Sequence, residues 1–216
     1  MDKERLINLW REKNVDEKLL TAFDKIPSDI FVSAAFQKEA YHDHPLPTIR
    51  KQSISQPTTI IMMMEALELD VGQNVFEVGA GVGYQAALIS NVIGENGTII
   101  SSEVIPELVT AAINNINSLD IKNTKIIESD GGNGHSEGAP YDRIIMTCAC
   151  PNLPQPLIDQ LKEGGIILAP VGDLESQTMI KGIKRGKGLD LEFLGSFRFV
   201  PMSGRHGFKE ELLRKM

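Results

Sequence analysis

Cysteine is scarce in this sequence, and long hydrophobic runs are missing. The 216 residues include only two cysteines, Cys148 and Cys150, which lie two positions apart in an apolar segment. Such a pair is not a disulfide framework, so we expect a reducing compartment, the cytoplasm. The apolar runs Ile60–Met64 and Ile166–Val171 are far shorter than the roughly 20 residues that span a bilayer. The N-terminus is charged from Asp2 onward, so we expect neither a membrane segment nor a secretory signal.

Positive charge and histidine are scarce as well. Lysine and arginine together number 22 against 29 acidic residues, which gives a formal net charge of -7 at pH 7. Nucleic-acid-binding proteins usually present a basic field, and we therefore expect no nucleic acid among the partners. Two of the four histidines, His42 and His44, flank Asp43. No further histidine or cysteine lies nearby in the sequence, so we expect no metal site.

The remaining composition is that of an ordinary globular protein, with 42% hydrophobic and 24% charged residues. From residue 57 onward, short apolar runs alternate with helical patterns. This alternation predicts a parallel sheet with helices on both faces. The predicted strands are Asn74–Val78, Gly97–Ser102, Thr124–Glu128, Arg143–Thr147 and Gly165–Pro170, and the predicted helices are Tyr84–Ile93, Pro106–Ser118 and Pro154–Leu161.

The last two apolar runs differ from the earlier ones. Thr178–Lys184 and Leu189–Phe199 are joined by residues 185–188 alone, which leaves no room for a crossover helix. Two strands joined by so short a turn form an antiparallel hairpin. A parallel sheet that ends in such a hairpin is typical of methyltransferases rather than of dinucleotide-binding dehydrogenases.

The first 60 residues are predicted to be helical with loops. A helix over Asp16–Lys25 begins with an acidic N-cap and ends before Pro27. The segment His42–Lys51 contains two prolines and is predicted to be a loop. A further helix, Thr58–Leu67, contains Met62–Met64. Three adjacent methionines cannot share one helical face, so we expect this helix to be buried nearly all round.

A glycine loop follows the first predicted strand and opens the next helix. It reads E-x-G-x-G-x-G over residues 77–83. Dinucleotide-binding enzymes use G-x-G-x-x-G, and here Tyr84 occupies the third glycine position. Glu77 would repel a pyrophosphate, whereas it would attract a sulfonium and an α-amino group. The alternative is that Glu77 is only a helix cap. The loop favours a cationic cofactor, S-adenosylmethionine.

A second acidic residue, Glu103, ends the next predicted strand, 24 residues beyond Gly79. A carboxylate at that place binds both ribose hydroxyls of a nucleoside, because open α/β sheets bind ligands at the carboxyl ends of their strands. The alternative is an exposed carboxylate at a strand end. Together with the glycine loop, this position favours a nucleoside cofactor.

Four segments, in order along the chain, resemble the protein-L-isoaspartate O-methyltransferase family. The resemblance covers nearly the whole length of this chain. S-I-S-Q-P upstream of the glycine loop and R-F-V-P downstream of it are the discriminating motifs, because the cofactor loop itself is generic. The N-terminal segment Ile26–Val32 also fits. The four segments are Ser53–Pro57 with the helix after it; Glu77–Gln85; Tyr141–Pro151 with Leu157–Gly165 and Pro170–Gly172; and Arg198–Pro201.

The resemblance implies a doubly wound, Rossmann-like, seven-stranded methyltransferase sheet. Residues 1–56 would be a helical extension on the substrate side, and residues 57–216 one compact methyltransferase domain. The cofactor would be S-adenosylmethionine and its product S-adenosylhomocysteine, and we expect a monomer. The cofactor-binding residues implied are Glu77, Gly79, Ala80, Gly81, Gly83, Glu103, Val104, and, against the adenine, Asp130 and Gly131.

The resemblance also implies an activity. These enzymes methylate the free α-carboxylate of L-isoaspartyl residues in damaged proteins, and the ester then cyclises to a succinimide, which begins protein repair. Ser55 matches the catalytic serine of the family, and its neighbours Ser53, Ile54 and Gln56 are expected to bind substrate. A carboxylate is already ionised at pH 7, so no general base is needed and none is assigned.

One departure from the family lies just before this serine. Relatives are rich in glycine there, whereas this chain has Arg50 and Lys51 within Pro47–Gln52. The two cations help to attract an anionic substrate or are simply solvated. The change leaves open a methyltransferase acting on another carboxylate, a small molecule or RNA. A binding protein that has lost turnover is a separate alternative, against which the intact set of Gly79, Gly81, Glu103 and Ser55 argues.

Overall fold

A computed structural model describes residues 2–213 of the chain. Seven α-helices and nine strands are found in this range, numbered here in chain order. The helices are α1 Lys3–Glu12, α2 Glu17–Lys25, α3 Pro57–Ala66, α4 Tyr84–Ile93, α5 Pro106–Ser118, α6 Gln155–Gln160 and α7 Glu210–Leu213. The strands are β1 Leu46–Pro47, β2 Ser53–Ile54, β3 Asn74–Val78, β4 Thr98–Glu103, β5 Thr124–Glu128, β6 Tyr141–Met146, β7 Leu161–Gly172, β8 Gln177–Arg185 and β9 Gly188–Phe197.

Seven strands form one sheet in the order β5-β4-β3-β6-β7-β8-β9. The pairs from β5 to β7 are parallel, and β7–β8 and β8–β9 are antiparallel. The prediction of a mostly parallel sheet that ends in an antiparallel hairpin is therefore confirmed. Because β3 lies next to both β4 and β6, the carboxyl ends of these three strands meet in the middle of one sheet edge.

The N-terminal helices pack into the same core as the sheet. Leu6 and Trp10 on α1 are almost fully buried, and α2 packs against α1 and α4. Trp10 Nε1 donates to Thr58 Oγ1 at 3.0 Å, and Thr58 Oγ1 in turn donates to Asp43 at 2.8 Å. This chain of hydrogen bonds ties α1 to the start of α3. The division into residues 1–56 and 57–216 stays a prediction, and Met1 and residues 214–216 lie outside the described part.

Two predictions about the N-terminal third were wrong in part. The segment His42–Lys51 is not all loop, because β1 pairs with β2 in a short antiparallel ladder and Ile49–Lys51 forms a 3₁₀ turn. Helix α3 is not buried all round, because Met62 is 45% exposed while Met63 and Met64 are buried. Successive helical residues point about 100° apart, so three adjacent methionines cannot all face one core.

Among residues 2–213, no helix is long and apolar enough to cross a membrane.

Candidate active site

A cavity of about 900 Å³, its open mouth included, lies at the carboxyl ends of β3, β4 and β6. Its walls come from the glycine loop, from the residues after β4, from β2 with the residues after it, and from residues 200–203. Nearly all of the predicted site residues lie on these walls. They are Ser53, Ile54, Ser55, Glu77, Gly79, Ala80, Gly81, Glu103, Val104 and Gly131.

The glycine loop is held tightly against its neighbours. Gly79 has φ +95°, and a Cβ added there would lie 2.5 Å from Thr147 Oγ1. The Gly79 and Ala80 N–H groups both donate to the Ser102 carbonyl at 2.9 Å. Gly79 therefore needs both a left-handed backbone and the absence of a side chain. By contrast, the space in front of Gly81 is open, with nothing within 4 Å of an added Cβ.

Gly83, a predicted cofactor residue, does not line the cavity. It lies at the N-cap of α4 with φ +87°, and an added Cβ would come within 3.3 Å of Ala112 on α5. Its absence of a side chain lets the two helices approach each other. The structure thus gives Gly83 a packing role at this loop.

Glu77 lies at the floor of the cavity and is completely buried. One carboxylate oxygen accepts a hydrogen bond from the Ser101 hydroxyl, and the other, Oε1, has no partner among residues 2–213. Burial, with a smaller contribution from the nearby Glu103 carboxylate, raises the pKa of Glu77 to about 8 although the Ser101 hydrogen bond lowers it. Glu77 therefore holds a proton at neutral pH until a cation lies beside it.

Glu103 is not the exposed carboxylate of the alternative interpretation, because it is only 7% exposed. Its Oε2 accepts from the Gly81 N–H at 2.9 Å, and its Oε1 accepts from the N–H groups of Val104 at 2.8 Å and Ile105 at 3.1 Å. These bonds fix the carboxylate at the cavity wall. Oε2 accepts only one of these bonds, so it retains a lone-pair direction with which it can accept from a hydroxyl group.

Asp130 does not line the cavity, although its neighbour Gly131 does. The Asp130 carboxylate accepts from the Gly132 N–H at 3.0 Å and from the Arg205 N–H at 2.8 Å. It caps the turn after β5 and holds the C-terminal segment in place. The structure thus gives Asp130 an anchoring position, and its predicted contact with the adenine stays a prediction.

A second cavity, of about 590 Å³, adjoins the first. The two share the residues Ser53, Ser55, Thr147 and Val200. Gln56, predicted to bind substrate, lines only the second cavity. The remaining lining residues of that cavity are Pro45, Thr59, Phe197, Arg198 and Phe199.

Arg50 and Lys51 line neither cavity. Both have a left-handed backbone, with φ 57° and 58°, a conformation that favours glycine. The Arg50 side chain pairs with Glu107 in the first turn of α5, where its Nε donates at 3.0 Å. Their positive charges therefore lie outside the cavity walls, and Arg50 faces another surface residue.

Several lining residues were missed by the sequence analysis. Thr147 follows β6, and its hydroxyl donates to the Val78 and Gly79 carbonyls. The rule that ligands bind at strand ends was a signal that would have found it. Val200 and Pro201 belong to the R-F-V-P motif, but no strand-end position marked residues 200–203 as part of the site. They reach the site because Ala149 exchanges backbone hydrogen bonds of 2.8 Å with Val200 and Met202.

The two cysteines differ in their position. Cys148 lines the first cavity, whereas Cys150 lines neither cavity. Burial raises the pKa of the Cys148 thiol far above its usual range and that of Cys150 to about 12. Both are thiols rather than thiolates at neutral pH, which leaves neither poised as a nucleophile.

The pair His42 and His44 gains a neighbour in the structure. Ligand atoms of Glu39, His42 and His44 lie within 4.8 Å of one another. His44 Nε2 lies 3.4 Å from Glu39 Oε2, a contact between two polar side chains that needs no metal. The absence of a metal stays a prediction.

Comparison with known proteins gives one consistent result. The family model "Protein-L-isoaspartate(D-aspartate) O-methyltransferase (PCMT)" matches residues 1–207. A protein-L-isoaspartate O-methyltransferase 2 from Archaeoglobus fulgidus is 40% identical over 208 residues, which cover 96% of this chain and 95% of that protein. A protein-L-isoaspartate O-methyltransferase from Pyrococcus horikoshii is 38% identical, with coverage of 97% and 100%.

Solved structures agree with this result. A protein-L-isoaspartate O-methyltransferase structure has a TM-score of 0.90 and 30% identity, and the match covers 99% of this chain and 70% of that one. A putative protein-L-isoaspartate O-methyltransferase from Plasmodium falciparum, in complex with S-adenosyl-L-homocysteine, has a TM-score of 0.82. At 20% identity, with 94% and 99% of the two chains covered, it supports the fold.

Proposed function

The chain belongs to the protein-L-isoaspartate O-methyltransferase family, and from that premise we propose that it methylates the free α-carboxylate of L-isoaspartyl residues in damaged proteins. The methyl donor is S-adenosylmethionine and the by-product is S-adenosylhomocysteine. The observation that carries the proposal is the pair of adjoining cavities with Ser53, Ser55, Thr147 and Val200 in common. A donor in the first cavity and an acceptor in the second would meet at these shared residues.

The first cavity fits this donor on its own chemistry. Four buried polar atoms of its lining residues lack a partner among residues 2–213, namely Glu77 Oε1, the Tyr84 hydroxyl, Gln85 Nε2 and Ser129 Oγ. Buried polar groups are normally paired, so a polar ligand is expected to satisfy them. Glu103 would accept from ribose hydroxyls, and Glu77 would face a cationic group. When bound, S-adenosylmethionine supplies a methyl group on a positively charged sulfur.

The chain's own residues would mainly orient and desolvate the acceptor. The acceptor carboxylate has a pKa near 3.5–4 and is ionised at pH 7, so no residue has to remove a proton. The hydroxyls of Ser53 and Ser55 would donate to that carboxylate and direct one oxygen towards the first cavity. Catalysis of this kind depends on alignment of the reacting atoms rather than on acid–base chemistry.

The proposal extends to the setting of the enzyme. Its partners would be proteins and peptides that contain isoaspartyl residues, with no nucleic acid and no membrane. We propose a monomeric, cytoplasmic enzyme in which residues 1–56 complete the acceptor side and residues 57–216 bind the donor. The acceptor-side part rests on Ser53, Ile54 and Ser55, which line the cavity from the N-terminal segment.

The test is methyl transfer from labelled S-adenosylmethionine to a synthetic isoaspartyl peptide, with the matched aspartyl peptide as control. We expect label on the isoaspartyl peptide only, released by mild base as an ester is. Intact cofactor binding with neither peptide labelled would reject this acceptor. The search would then move to another carboxylate, a small molecule or RNA. Intact binding with no product on any acceptor would indicate a binding protein.

A further inference from the structure

The second cavity carries one formally charged residue on its walls, Arg198. Within the described chain, no carboxylate oxygen lies within 4.0 Å of its guanidinium and no hydrogen bond of its side chain is found. Three other arginines are paired with a carboxylate, Arg11 with Glu17, Arg50 with Glu107 and Arg185 with Asp190, whereas Arg5 and Arg205 have no such pair among residues 2–213 and line neither cavity. An unpaired guanidinium beside the proposed acceptor is a binding position for an anion.

The backbone that carries Arg198 is held on both sides. Its successor Phe199 donates from N–H to Gln177 Oε1 at 2.8 Å, and Gln177 is only 2% exposed. The next residue, Val200, accepts from the Ala149 N–H at 2.8 Å. The base of the Arg198 side chain is therefore fixed at the cavity wall, while the guanidinium itself remains free to reach a bound peptide.

The anion that Arg198 binds should not be the reacting carboxylate. Methyl transfer joins an anionic oxygen to a carbon that leaves a cationic sulfur, so both charges decrease in the transition state. A cation that touches the acceptor oxygen would stabilise the ground state more than the transition state and would slow the reaction. Hydroxyl groups such as those of Ser53 and Ser55 carry a smaller penalty of this kind.

An isoaspartyl residue offers only one free carboxylate, because its other carboxyl group continues the main chain. A second anion near the site must therefore come from a neighbouring side chain of the same peptide. We propose that Arg198 is a specificity-determining residue that binds an aspartate or glutamate side chain flanking the isoaspartyl residue. This inference rests on the proposed function.

The expected effect is on binding rather than on the chemical step. A flanking acid bound equally in the ground and transition states lowers KM and leaves kcat unchanged. Arg198 is exposed, so the preference should be modest, about three- to tenfold in KM, and should weaken with added salt.

The experiment compares isoaspartyl peptides that carry Glu, Gln or Lys at one flanking position, tested on each side in turn. Wild type is compared with Arg198→Gln, with Arg198→Lys and with Lys187→Gln. The last variant removes the same charge at the turn between β8 and β9, the opposite end of this hairpin from Phe197. We expect wild type, Arg198→Lys and Lys187→Gln to prefer the Glu peptide, and Arg198→Gln to treat all three alike with its kcat unchanged.

Two results would overturn the inference. One is a fall in kcat of Arg198→Gln by the same factor on all three peptides, which would mean that the guanidinium contacts the reacting carboxylate. The other is an unchanged preference for Glu in that variant. Methylation of none of the peptides by wild type would instead count against the proposed function itself, so the two failures are distinct.

Discussion

The two halves of the site are built differently. The cofactor half, residues 77–83 and 103–105, lies at the ends of the adjacent parallel strands β3 and β4, whose register pairs Val78 with Ser102. The acceptor half, residues 46–56 and 197–200, consists of two-residue strands, a 3₁₀ turn and the end of β9 with the residues just beyond it. The sheet positions the residues of the cofactor half, whereas loops from opposite ends of the chain position those of the acceptor half.

Because of this difference, substitutions in the two halves should change different properties of the enzyme. In the cofactor half, backbone N–H groups fix the Glu103 carboxylate, and the Thr147 hydroxyl donates a hydrogen bond to the Gly79 carbonyl. Substitutions there should alter cofactor affinity and stability together. In the acceptor half, Ser55 and Arg198 face a cavity from exposed or half-buried positions. Substitutions there should alter the acceptor reaction alone.

The largest effect, on both cofactor affinity and stability, is expected from Gly79→Ala. The new Cβ would meet Thr147 Oγ1 at 2.5 Å on a backbone with φ +95°. We expect S-adenosylhomocysteine affinity to fall by about 100-fold or more, and the free energy of unfolding by about 1–3 kcal/mol, the usual cost of a strained backbone. Isothermal titration calorimetry and denaturant unfolding measure the two.

Gly186→Ala is the matched control for this prediction. Gly186 also has a positive φ, +56°, but an added Cβ would meet nothing within 4 Å. It should therefore destabilise the protein through the backbone and leave cofactor affinity unchanged. Equal loss of affinity in both variants would show that the contact with Thr147 does not shape the site.

A smaller effect, on the pH dependence of the free energy of unfolding, is expected from the proton on Glu77. Its pKa is raised from 4.5 to about 8, so the folded protein holds an extra proton between these values. The unfolding free energy should then fall as pH rises through this window, and Glu77→Gln should remove that slope. Denaturant unfolding from pH 5 to 8 tests this, and an identical slope in wild type and variant would contradict it.

Cofactor binding should engage the same proton. A cationic amino group beside Glu77 lowers the pKa of the carboxyl, so wild type should release up to about one proton per cofactor bound at pH 7. Calorimetry in buffers of different ionisation enthalpy counts these protons. Glu77→Gln should release fewer. Release of the same number of protons by wild type and by Glu77→Gln would mean that Glu77 does not face the cationic group.

The cofactor half could be predicted from the sequence more fully than the acceptor half. Glu103 follows from the position of a strand end, and a local pattern is enough to find it. Of the residues that line the second cavity, Thr147 depends on the pairing of β3 with β6, and the position of Val200 depends on its backbone hydrogen bond with Ala149. These contacts join distant parts of the chain, and no local pattern encodes them.

Asp130 shows the limit of carrying a position over from a resemblance. Its place after β5 was predicted correctly, but the direction of its carboxylate depends on the Arg205 N–H, 75 residues further on. The Arg50–Lys51 departure shows the same limit. No local pattern indicated that Arg50 would pair with Glu107 rather than face the acceptor.

The smallest effect is expected from replacing Arg50 and Lys51 together by glycine. Neither lines a cavity, and the exposed pair with Glu107 contributes little, so KM for an isoaspartyl peptide should change by less than about threefold. Glu107→Gln is the control, because it breaks the ion pair and keeps the left-handed residues. Steady-state kinetics measures both, and a large rise in KM for the glycine variant alone would place these residues in acceptor binding.

The most direct test of the separation between the two halves compares Ser55→Ala with Glu103→Gln. For each variant, one measures S-adenosylhomocysteine affinity and the rate of isoaspartyl peptide methylation at saturating cofactor. We predict that Ser55→Ala lowers the rate about tenfold with affinity unchanged, because a positioned hydroxyl is lost. Glu103→Gln should weaken affinity about tenfold or more, because its amide cannot accept all three N–H groups. Equal loss of cofactor affinity in both variants would contradict the account.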